Sequence, residues 1–352
     1  MSFRALTRPV LWLGAALLGL AGVGVSSCAS VKVWMDRRGL ADYSELILRD
    51  FDADQARPPP PEPPRGSTGP VAVKAARLET WNLDAASIQE KLTFPARVTR
   101  PDGTRDEAIF YLYGNRDLEG ADVILWVPGF GVSDFAFRFI KDFFINELEA
   151  GYTVVFYDIP FHLDRAQEGK APGEGLVTGN NARNIELVEQ IVDELGIMIE
   201  HLKARKVRSI SGWGGSIGAA YLWLASARYE LDHMTLMIPL VDWSTLIFHD
   251  ELAPVRAKMN AAGVSDDELR RIYAAVSPIE VPTKVEASRI QLLYARLDQF
   301  TPEATTKAFA AKWGITDVHG YDESHASILT DSAMFEDNRR FIERMRPPEV
   351  AP

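Results

Sequence analysis

The sequence predicts an α/β fold built around a mostly parallel sheet. Two observations predict it. Apolar runs of strand length lie at residues 123–127, 153–157 and 290–295, and stretches with apolar residues at helical spacing, such as 181–203, lie between such runs. Continuous apolar runs are typical of parallel strands covered on both faces. Strands that alternate with helices indicate βαβ units.

A serine framed by glycines lies at one predicted strand-to-helix corner. Gly-Gly-Ser-Ile-Gly occupies 214–218, after strand character over 207–211 and before an Ala- and Leu-rich helical stretch over 217–228. At such a corner the backbone of Ser216 is strained and pushes its Oγ out above the sheet. The glycines two residues on either side let the helix pack close to the strand. Because a string of this type arises by chance in roughly one chain in ten, its interpretation depends on partner residues.

An acid and a histidine follow the serine in the order that a Ser-Asp-His triad requires. Asp298 lies in the loop after the apolar run 290–295, and His325 lies in the loop after a predicted strand over 317–321. Catalytic groups of open α/β sheets lie at the carboxyl ends of strands. A serine hydroxyl needs a base to accept its proton, and the base needs an orienting carboxylate.

Each partner has an alternative. Asp242 follows an earlier predicted strand and competes with Asp298 for the role of the acid, while His319, inside a strand, competes with His325 as the base. The alternative for Ser216 is a structural role as a helix N-cap in a glycine-rich turn. No metal or organic cofactor is predicted. Four other histidines show no metal-ligand spacing: His162, His201, His233 and His249.

On these residues the chain resembles the α/β-hydrolase superfamily over about 92–346. The resemblance implies an α/β-hydrolase fold: a mostly parallel eight-stranded sheet flanked by helices, with a small helical cap insertion after the sixth strand. The cap falls at about 241–286 and includes Trp243, a candidate substrate contact. Caps shape substrate pockets, although an ordinary pair of surface helices is the alternative.

The resemblance also implies an oxyanion hole made of two backbone N–H groups. One donor would be Ile217, directly after the serine, and the other Phe130, in the loop after the strand 123–127. These groups would hold the charge that develops on the attacked carbonyl oxygen. This chain has Pro128 where the superfamily usually has histidine, which leaves a backbone donor in place.

A Pro-Phe-His motif followed by an arginine comes after the predicted strand 153–157. It is similar to a signature of bacterial esterase-like hydrolases, and the similarity implies that His162 and Arg165 face the mouth of the active site as substrate-binding residues. An ion pair that fixes the loop is an equally good interpretation.

The N-terminus predicts a secretory signal peptide over 1–27, because a short basic stretch precedes an apolar run over 10–25. Residues 25–28, Val-Ser-Ser-Cys, resemble the bacterial lipobox, and Cys28 is the chain's single cysteine. The resemblance implies lipidation of Cys28 and a place on the periplasmic side of the cell envelope, and Ala29 resembles the outer-membrane sorting pattern. An uncleaved anchor is the alternative, although the apolar run, as a helix, spans only about 24 Å of a ~30 Å hydrocarbon core.

The predicted organisation is a lipid-anchored, proline-rich tether over 28–70, a hydrolase domain over 71–346 and a disordered tail over 347–352. Prolines concentrate at 57–66, which predicts polyproline II structure. A short amphipathic helix is predicted around 43–48.

The formal net charge of −11 argues against nucleic acid as a partner. The predicted function is a serine hydrolase that cleaves a carboxylic ester, small-molecule or lipid, while held at a membrane by its lipid anchor. A thioesterase or peptidase would use the same groups. The alternative from another class is a catalytically silent lipoprotein that uses the fold as an interaction scaffold.

Overall fold

The computed structural model describes residues 28–49, 51–53, 56, 71–76, 88–99, 105–114, 117–132, 144 and 147–346. Several sequence predictions lie outside the described residues: the signal peptide over 1–27, the polyproline stretch over 57–66, most of a helix predicted over 133–148, and the tail over 347–352.

Within the described residues, nine strands form one sheet in the order β1-β2-β3-β5-β4-β6-β7-β8-β9. The strands are β1 (Lys74–Ala76), β2 (Ile88–Thr99), β3 (Arg105–Tyr113), β4 (Asp122–Val127), β5 (Thr153–Asp158), β6 (Ser209–Gly215), β7 (Met234–Met237), β8 (Ile290–Ala295) and β9 (Asp317–Tyr321). The β1–β2, β2–β3 and β3–β5 pairs are antiparallel, and the other five pairs are parallel. The α/β architecture is confirmed, with one strand more than the eight predicted. The added strand, β1, is a three-residue edge strand, too short for its sequence to show a period.

Eight helices cover this sheet and its carboxyl-end loops in the described part of the chain. They are α1 (Ala29–Arg49), α2 (Asn181–Ala204), α3 (Ile217–Ser226), α4 (Trp243–Ile247), α5 (Ala253–Ala261), α6 (Asp266–Ala274), α7 (Glu303–Trp313) and α8 (Ser332–Met345). Strands β4, β5 and β8 are buried at every position, as their continuous apolar sequences predict.

Helices α4, α5 and α6 all lie between β7 and β8, where the sequence places a cap. Side chains cap the N-termini of two of these helices. Asp242 caps α4 by accepting from the N–H of Ser244, and Ser265 caps α6 by accepting from the N–H of Glu268. The inner sides of the cap helices are apolar, and Val255, Met259 and Leu269 are fully buried in the main core.

Helix α1 is part of the folded unit, so folded structure begins well before position 71. The sequence predicted only a short helix around 43–48 within a tether, whereas the helix has 21 residues and buries Leu40, Tyr43 and Ile47 in the main core. The chain stays attached beyond it, since Nδ2 of Asn181 donates to the carbonyl of Ala56 at 2.6 Å. Among the described helices, none has the length and hydropathy to cross a membrane.

Candidate active site

Ser216 occupies a strained corner between β6 and α3. Its backbone has φ 52° and ψ −120°, a conformation that costs a residue other than glycine about 1–3 kcal/mol. Backbone bonds hold the corner: the N–H of Ser216 donates to Met237 at 2.9 Å, and the N–H of Leu240 donates to the Ser216 carbonyl at 3.1 Å. The strain predicted for this corner is therefore present and is fixed by the neighbouring strand.

Two glycines allow the corner to form, as predicted. A Cβ on Gly214 would lie 2.7 Å from the Cα of Ala219, and one on Gly218 would lie 2.2 Å from the carbonyl oxygen of Pro128. The first contact is with the following helix, as expected. The second is with the loop after β4, so Gly218 also brings that loop against the serine.

The structure brings Ser216, His325 and Asp298 together at the carboxyl ends of the strands. The Oγ of Ser216 lies 2.9 Å from Nε2 of His325, and Nδ1 of His325 lies 2.7 Å from Oδ2 of Asp298. With Nδ1–H donating to the carboxylate, Nε2 is left as the acceptor for the serine proton. This is the arrangement of a nucleophile, a base and an orienting acid.

Asp298 is held by several donors besides the histidine. Its Oδ1 accepts from the backbone N–H groups of Phe300 and Thr301, each at 2.8 Å, and its Oδ2 accepts from the Thr301 hydroxyl at 2.7 Å. The carboxyl group is buried. Because a buried polar group is costly unless it is hydrogen-bonded, these bonds offset the cost of burial and fix the position of the carboxyl group.

The pKa of His325 is raised above its ordinary value. Burial alone would lower the pKa, but the Asp298 carboxylate outweighs burial through its charge and its hydrogen bond, and the charge of Asp36 acts in the same direction. The imidazolium form is thus stabilised, as expected for a group that accepts a proton during a reaction.

The two predicted oxyanion donors lie beside the serine. Ile217 is the first residue of α3, where backbone N–H groups have no partner within the helix. The loop that carries Phe130 is close by, since a Cβ built on Gly129 would lie 3.3 Å from the Cβ of Ser216. The structure thus places the loop that carries Phe130 against Ser216, while Ile217 directly follows it.

His162 does not line the mouth of the site as a substrate contact. It is buried, its Nδ1 lies 2.9 Å from the carbonyl of Pro160, and its Nε2 accepts from the backbone N–H of Gly131 at 2.9 Å. Its ring also meets the ring of Phe130 edge-on, with centroids 5.8 Å apart. His162 therefore braces the loop at 128–132, called the oxyanion loop below after the donor predicted at Phe130, and it does so through hydrogen bonds to backbone groups rather than an ion pair.

Arg165 also points away from the site. Its fully buried guanidinium pairs with Asp106 at 2.6 Å and with Glu194 at 2.7 Å. Nη1 also donates to the carbonyl of Asp158 at 3.1 Å. The substrate-binding prediction for Arg165 is wrong, because two carboxylates from β3 and α2 surround the guanidinium and leave no face for a ligand. The ion-pair alternative describes it.

Trp243 lies in the cap wall and is almost fully buried. Its ring stacks on Tyr273 with centroids 6.3 Å apart and lines a cavity of about 20 Å³ between α1 and the cap. Tyr43 of α1 closes the other side of that cavity and meets the Phe130 ring at 5.1 Å. The cavity, which holds about one water molecule, therefore adjoins the oxyanion loop.

The alternatives left by the sequence differ in the contacts that the structure gives them. Asp242 caps helix α4 through its bond to Ser244, whereas Asp298 contacts His325. His319 lies on β9, where Nε2 is 2.8 Å from Oδ1 of Asp317. In the described part of the chain, no group of three or more His, Cys, Asp or Glu residues is arranged to hold a metal ion.

Sequence reasoning missed Asp36, a buried residue of α1 that touches the loops that carry Asp298 and His325. Its Oδ2 accepts from the backbone N–H of His325 at 3.0 Å and from that of Gln299 at 3.1 Å. A signal was present: Asp36, Tyr43 and Ile47 lie on one helix face at helical spacing. The charge of Asp36 obscures this stripe, because charged side chains mostly lie on exposed surfaces.

Another depression, of about 420 Å³, lies far from the serine. It is lined by charged residues at the amino ends of β6, β7 and β8, among them Arg208, Asp232 and Arg289. These residues form ion pairs or hydrogen bonds within the chain, such as Arg208 with Asp122. We assign the functional site to the serine corner, where the reactive groups meet.

Comparisons with known proteins agree with the architecture. The sequence matches no protein-family model and no curated protein. An acetyl xylan esterase from Thermoanaerobacterium superimposes with a TM-score of 0.56 at 15% identity, over 87% of this chain and 94% of that one. An acetyl xylan esterase from Paenibacillus superimposes with a TM-score of 0.55 at 18% identity, over 87% of this chain and 98% of that one. An acylaminoacyl peptidase from Pyrococcus horikoshii gives 0.51 at 14% identity over 76% of this chain, which spans only 43% of the peptidase.

Taken together, the sheet order, the strained serine corner and these similarities define the class: the protein has the α/β-hydrolase fold. At these identities the similarity establishes the fold, and the activity has to be argued from the site.

Proposed function

We propose that the protein is a serine hydrolase that cleaves a carboxylic ester through an acyl-enzyme intermediate. The observation that carries the proposal is the continuous chain of contacts from Oγ of Ser216 to Nε2 of His325, at 2.9 Å, and from Nδ1 to Asp298, at 2.7 Å. These distances are those of working hydrogen bonds, and the serine backbone is strained in the way that presents Oγ to a substrate.

In the proposed reaction, Ser216 attacks the ester carbonyl carbon while its hydroxyl proton passes to Nε2 of His325. His325 then gives that proton to the departing alkoxide, which leaves as the alcohol. A water molecule repeats the sequence on the acyl-enzyme: His325 takes its proton, and the carboxylic acid is released as Ser216 regains a proton. Asp298 keeps Nδ1 protonated and supports the imidazolium in both halves.

The N–H groups of Phe130 and Ile217 would hold the negative oxygen of each tetrahedral intermediate. Their contribution rests on fixed position, because donors that are already oriented need no reorganisation when charge develops. The bond from Gly131 to His162 supports this proposal, since it fixes the residue after Phe130.

A fluorophosphonate probe tests the reaction class. We expect it to label the wild-type protein and to leave Ser216→Ala unlabelled, with His325→Gln labelled far more slowly. Unchanged labelling of Ser216→Ala, or no labelling of the wild type, would favour the alternative of a catalytically silent scaffold.

The choice of acid can be tested with one matched pair of variants. Asp298→Asn removes the charge behind His325 and should lower kcat by a factor on the order of 10³ to 10⁴. Asp242→Asn keeps a helix-capping side chain on α4 and should leave kcat close to wild type. Equal losses in the two variants would contradict the assignment of Asp298.

Among serine hydrolases, we favour an esterase over a peptidase or thioesterase. Two of the structural neighbours are acetyl xylan esterases that match this chain over nearly their whole length, whereas the acylaminoacyl peptidase is more than twice the length of the shared region. Rates with p-nitrophenyl esters, the matching thioesters and peptide anilides would rank the three, and a faster anilide would reverse the order.

We further propose that Cys28 carries a lipid that holds the enzyme at the periplasmic face of a membrane. Cys28 is exposed and directly precedes α1, and residues 10–25 are apolar or glycine. Two acyl chains suffice for stable anchoring. The mass of the mature N-terminal peptide from a bacterial host should show a lipid adduct on Cys28 that Cys28→Ala lacks. An unmodified cysteine would overturn this part of the proposal.

A further inference from the structure

Helix α1 touches all three loops that build the site. Lys32 pairs with Glu323 at 2.7 Å and donates to the carbonyl of Asp322 at 2.9 Å, both in the His325 loop. Gly39 lies against the ring of Phe300, in the Asp298 loop, so closely that an added Cβ would be 3.1 Å from Cζ. These residues share one face of the helix with Tyr43, whose ring meets Phe130 of the oxyanion loop.

Asp36 is the centre of this face. One oxygen, Oδ2, accepts from the backbone N–H groups of His325 and Gln299 and so joins the two loops that carry the base and the acid. The other oxygen, Oδ1, is buried and has no hydrogen-bond partner among the residues that the structure describes.

Burial of a charged carboxylate at this position costs desolvation free energy. Burial raises the pKa of Asp36, and the nearby charge of Asp298 raises it further, while His325 lowers it. An asparagine would accept the same two N–H bonds through its amide oxygen without the desolvation cost of a buried charge. A carboxyl group at this position differs from an asparagine in that its charge can act on His325, whose pKa it raises.

We propose that Asp36 is a positioning residue of the Ser216–His325–Asp298 site. Its carboxylate fixes the spacing of the two loops and places a second negative charge near the imidazole of His325. The contribution to turnover rests on the proposed hydrolase function, whereas the effect on His325 itself does not. A consequence is that α1, far from Ser216 in sequence, is a working part of the site.

Two variants separate the two roles. Asp36→Asn keeps an acceptor for both N–H groups and removes the charge. Asp36→Ala removes both. Asp42→Asn is the matched control, because Asp42 lies on the same helix and forms its ion pair with Arg38, within that helix.

The first readout is the titration of His325 in the full chain, followed by NMR of ¹⁵N-labelled histidine and assigned by comparison with His325→Gln. Six histidines give a countable spectrum. We expect Asp36→Asn to lower the pKa of His325 by about half a pH unit or more, Asp36→Ala to lower it similarly, and Asp42→Asn to leave it unchanged. This readout needs no substrate, so it decides the proposal even if the protein hydrolyses nothing.

The second readout is kcat per site titrated with fluorophosphonate, beside the melting temperature. We expect Asp36→Asn to melt no lower than wild type yet to lose several-fold in kcat, and Asp36→Ala to lose about ten-fold or more with a smaller change in KM. A residue that only packs α1 would change the melting temperature alone. A wild-type pKa for His325 in both Asp36 variants, or equal shifts in Asp42→Asn, would overturn the proposal.

Discussion

The backbone N–H of Gly131 donates to Nε2 of His162 at 2.9 Å, and this bond links the oxyanion loop to the loop after β5. Burial lowers the pKa of His162 to about 4, so the ring is neutral at physiological pH. Neutrality matters because only an unprotonated Nε2 can accept from an N–H group. His162→Ala should therefore loosen the loop and lower kcat by about ten-fold or more, with a small change in KM.

The measurement is steady-state hydrolysis of p-nitrophenyl acetate, with active sites counted by fluorophosphonate. His249→Ala is a suitable control, because His249 caps a short turn in the cap through its bond to Glu251. A His162→Ala enzyme with wild-type kcat would show that the oxyanion loop keeps its position without this bond.

The acidic limb of the pH–rate profile should report His325. The base acts only when neutral, so kcat/KM falls as pH drops through the pKa of His325. Burial lowers that pKa, but Asp298 and Asp36 raise it more. The limb should thus lie above the ordinary value of about 6.5, and activity should be greatest at mildly alkaline pH. A profile measured from about pH 5 to 9 with an uncharged ester checks this, and a limb at or below the ordinary value would contradict it.

The sequence was sufficient to predict which three residues the structure brings together, because each lies in a recognisable local pattern. Ser216 has glycines at both flanks, Asp298 ends a buried strand, and His325 follows the last strand. The strand-to-helix corner, the strand end and the loop are each determined by a few residues that are adjacent in sequence. Sequence patterns can be recognised over such short distances.

The supporting groups were harder to predict, because long-range contacts decide their roles. Arg165 meets Asp106 and Glu194, which are 59 and 29 residues away in sequence, and only the fold brings them together. Asp36 is likewise separated by 289 residues from His325, whose backbone N–H it binds, so its role also depends on the fold. A charged side chain with a distant partner looks, in sequence, like any other charge on a solvated surface.

We infer that the acyl chain of the substrate points toward the cavity between α1 and the cap, because Tyr43 of that cavity contacts Phe130. The cavity volume of about 20 Å³ holds no alkyl chain. We expect p-nitrophenyl acetate to be a better substrate than the octanoate in kcat/KM. Tyr43→Ala should raise the octanoate rate relative to acetate, because Tyr43 lines the cavity beside Phe130. Tyr229→Ala removes an aromatic ring that packs against Gly196 and should leave the ratio unchanged. An unaltered ratio in Tyr43→Ala would place the acyl chain elsewhere.

Replacement of Arg165 should affect stability rather than chemistry. Its guanidinium lies between two buried carboxylates, and Glu194 also accepts from the Tyr157 hydroxyl at 2.5 Å. Arg165→Met removes the cation from a group of buried charges, which typically costs about 3–5 kcal/mol. Arg97→Met is the matched control, because its pair with Asp193 is half-exposed and should be worth no more than about 1 kcal/mol. Urea unfolding gives both values, and kcat per titrated site should stay close to wild type in each variant. A large loss of kcat in folded Arg165→Met protein would return this residue to the list of substrate contacts.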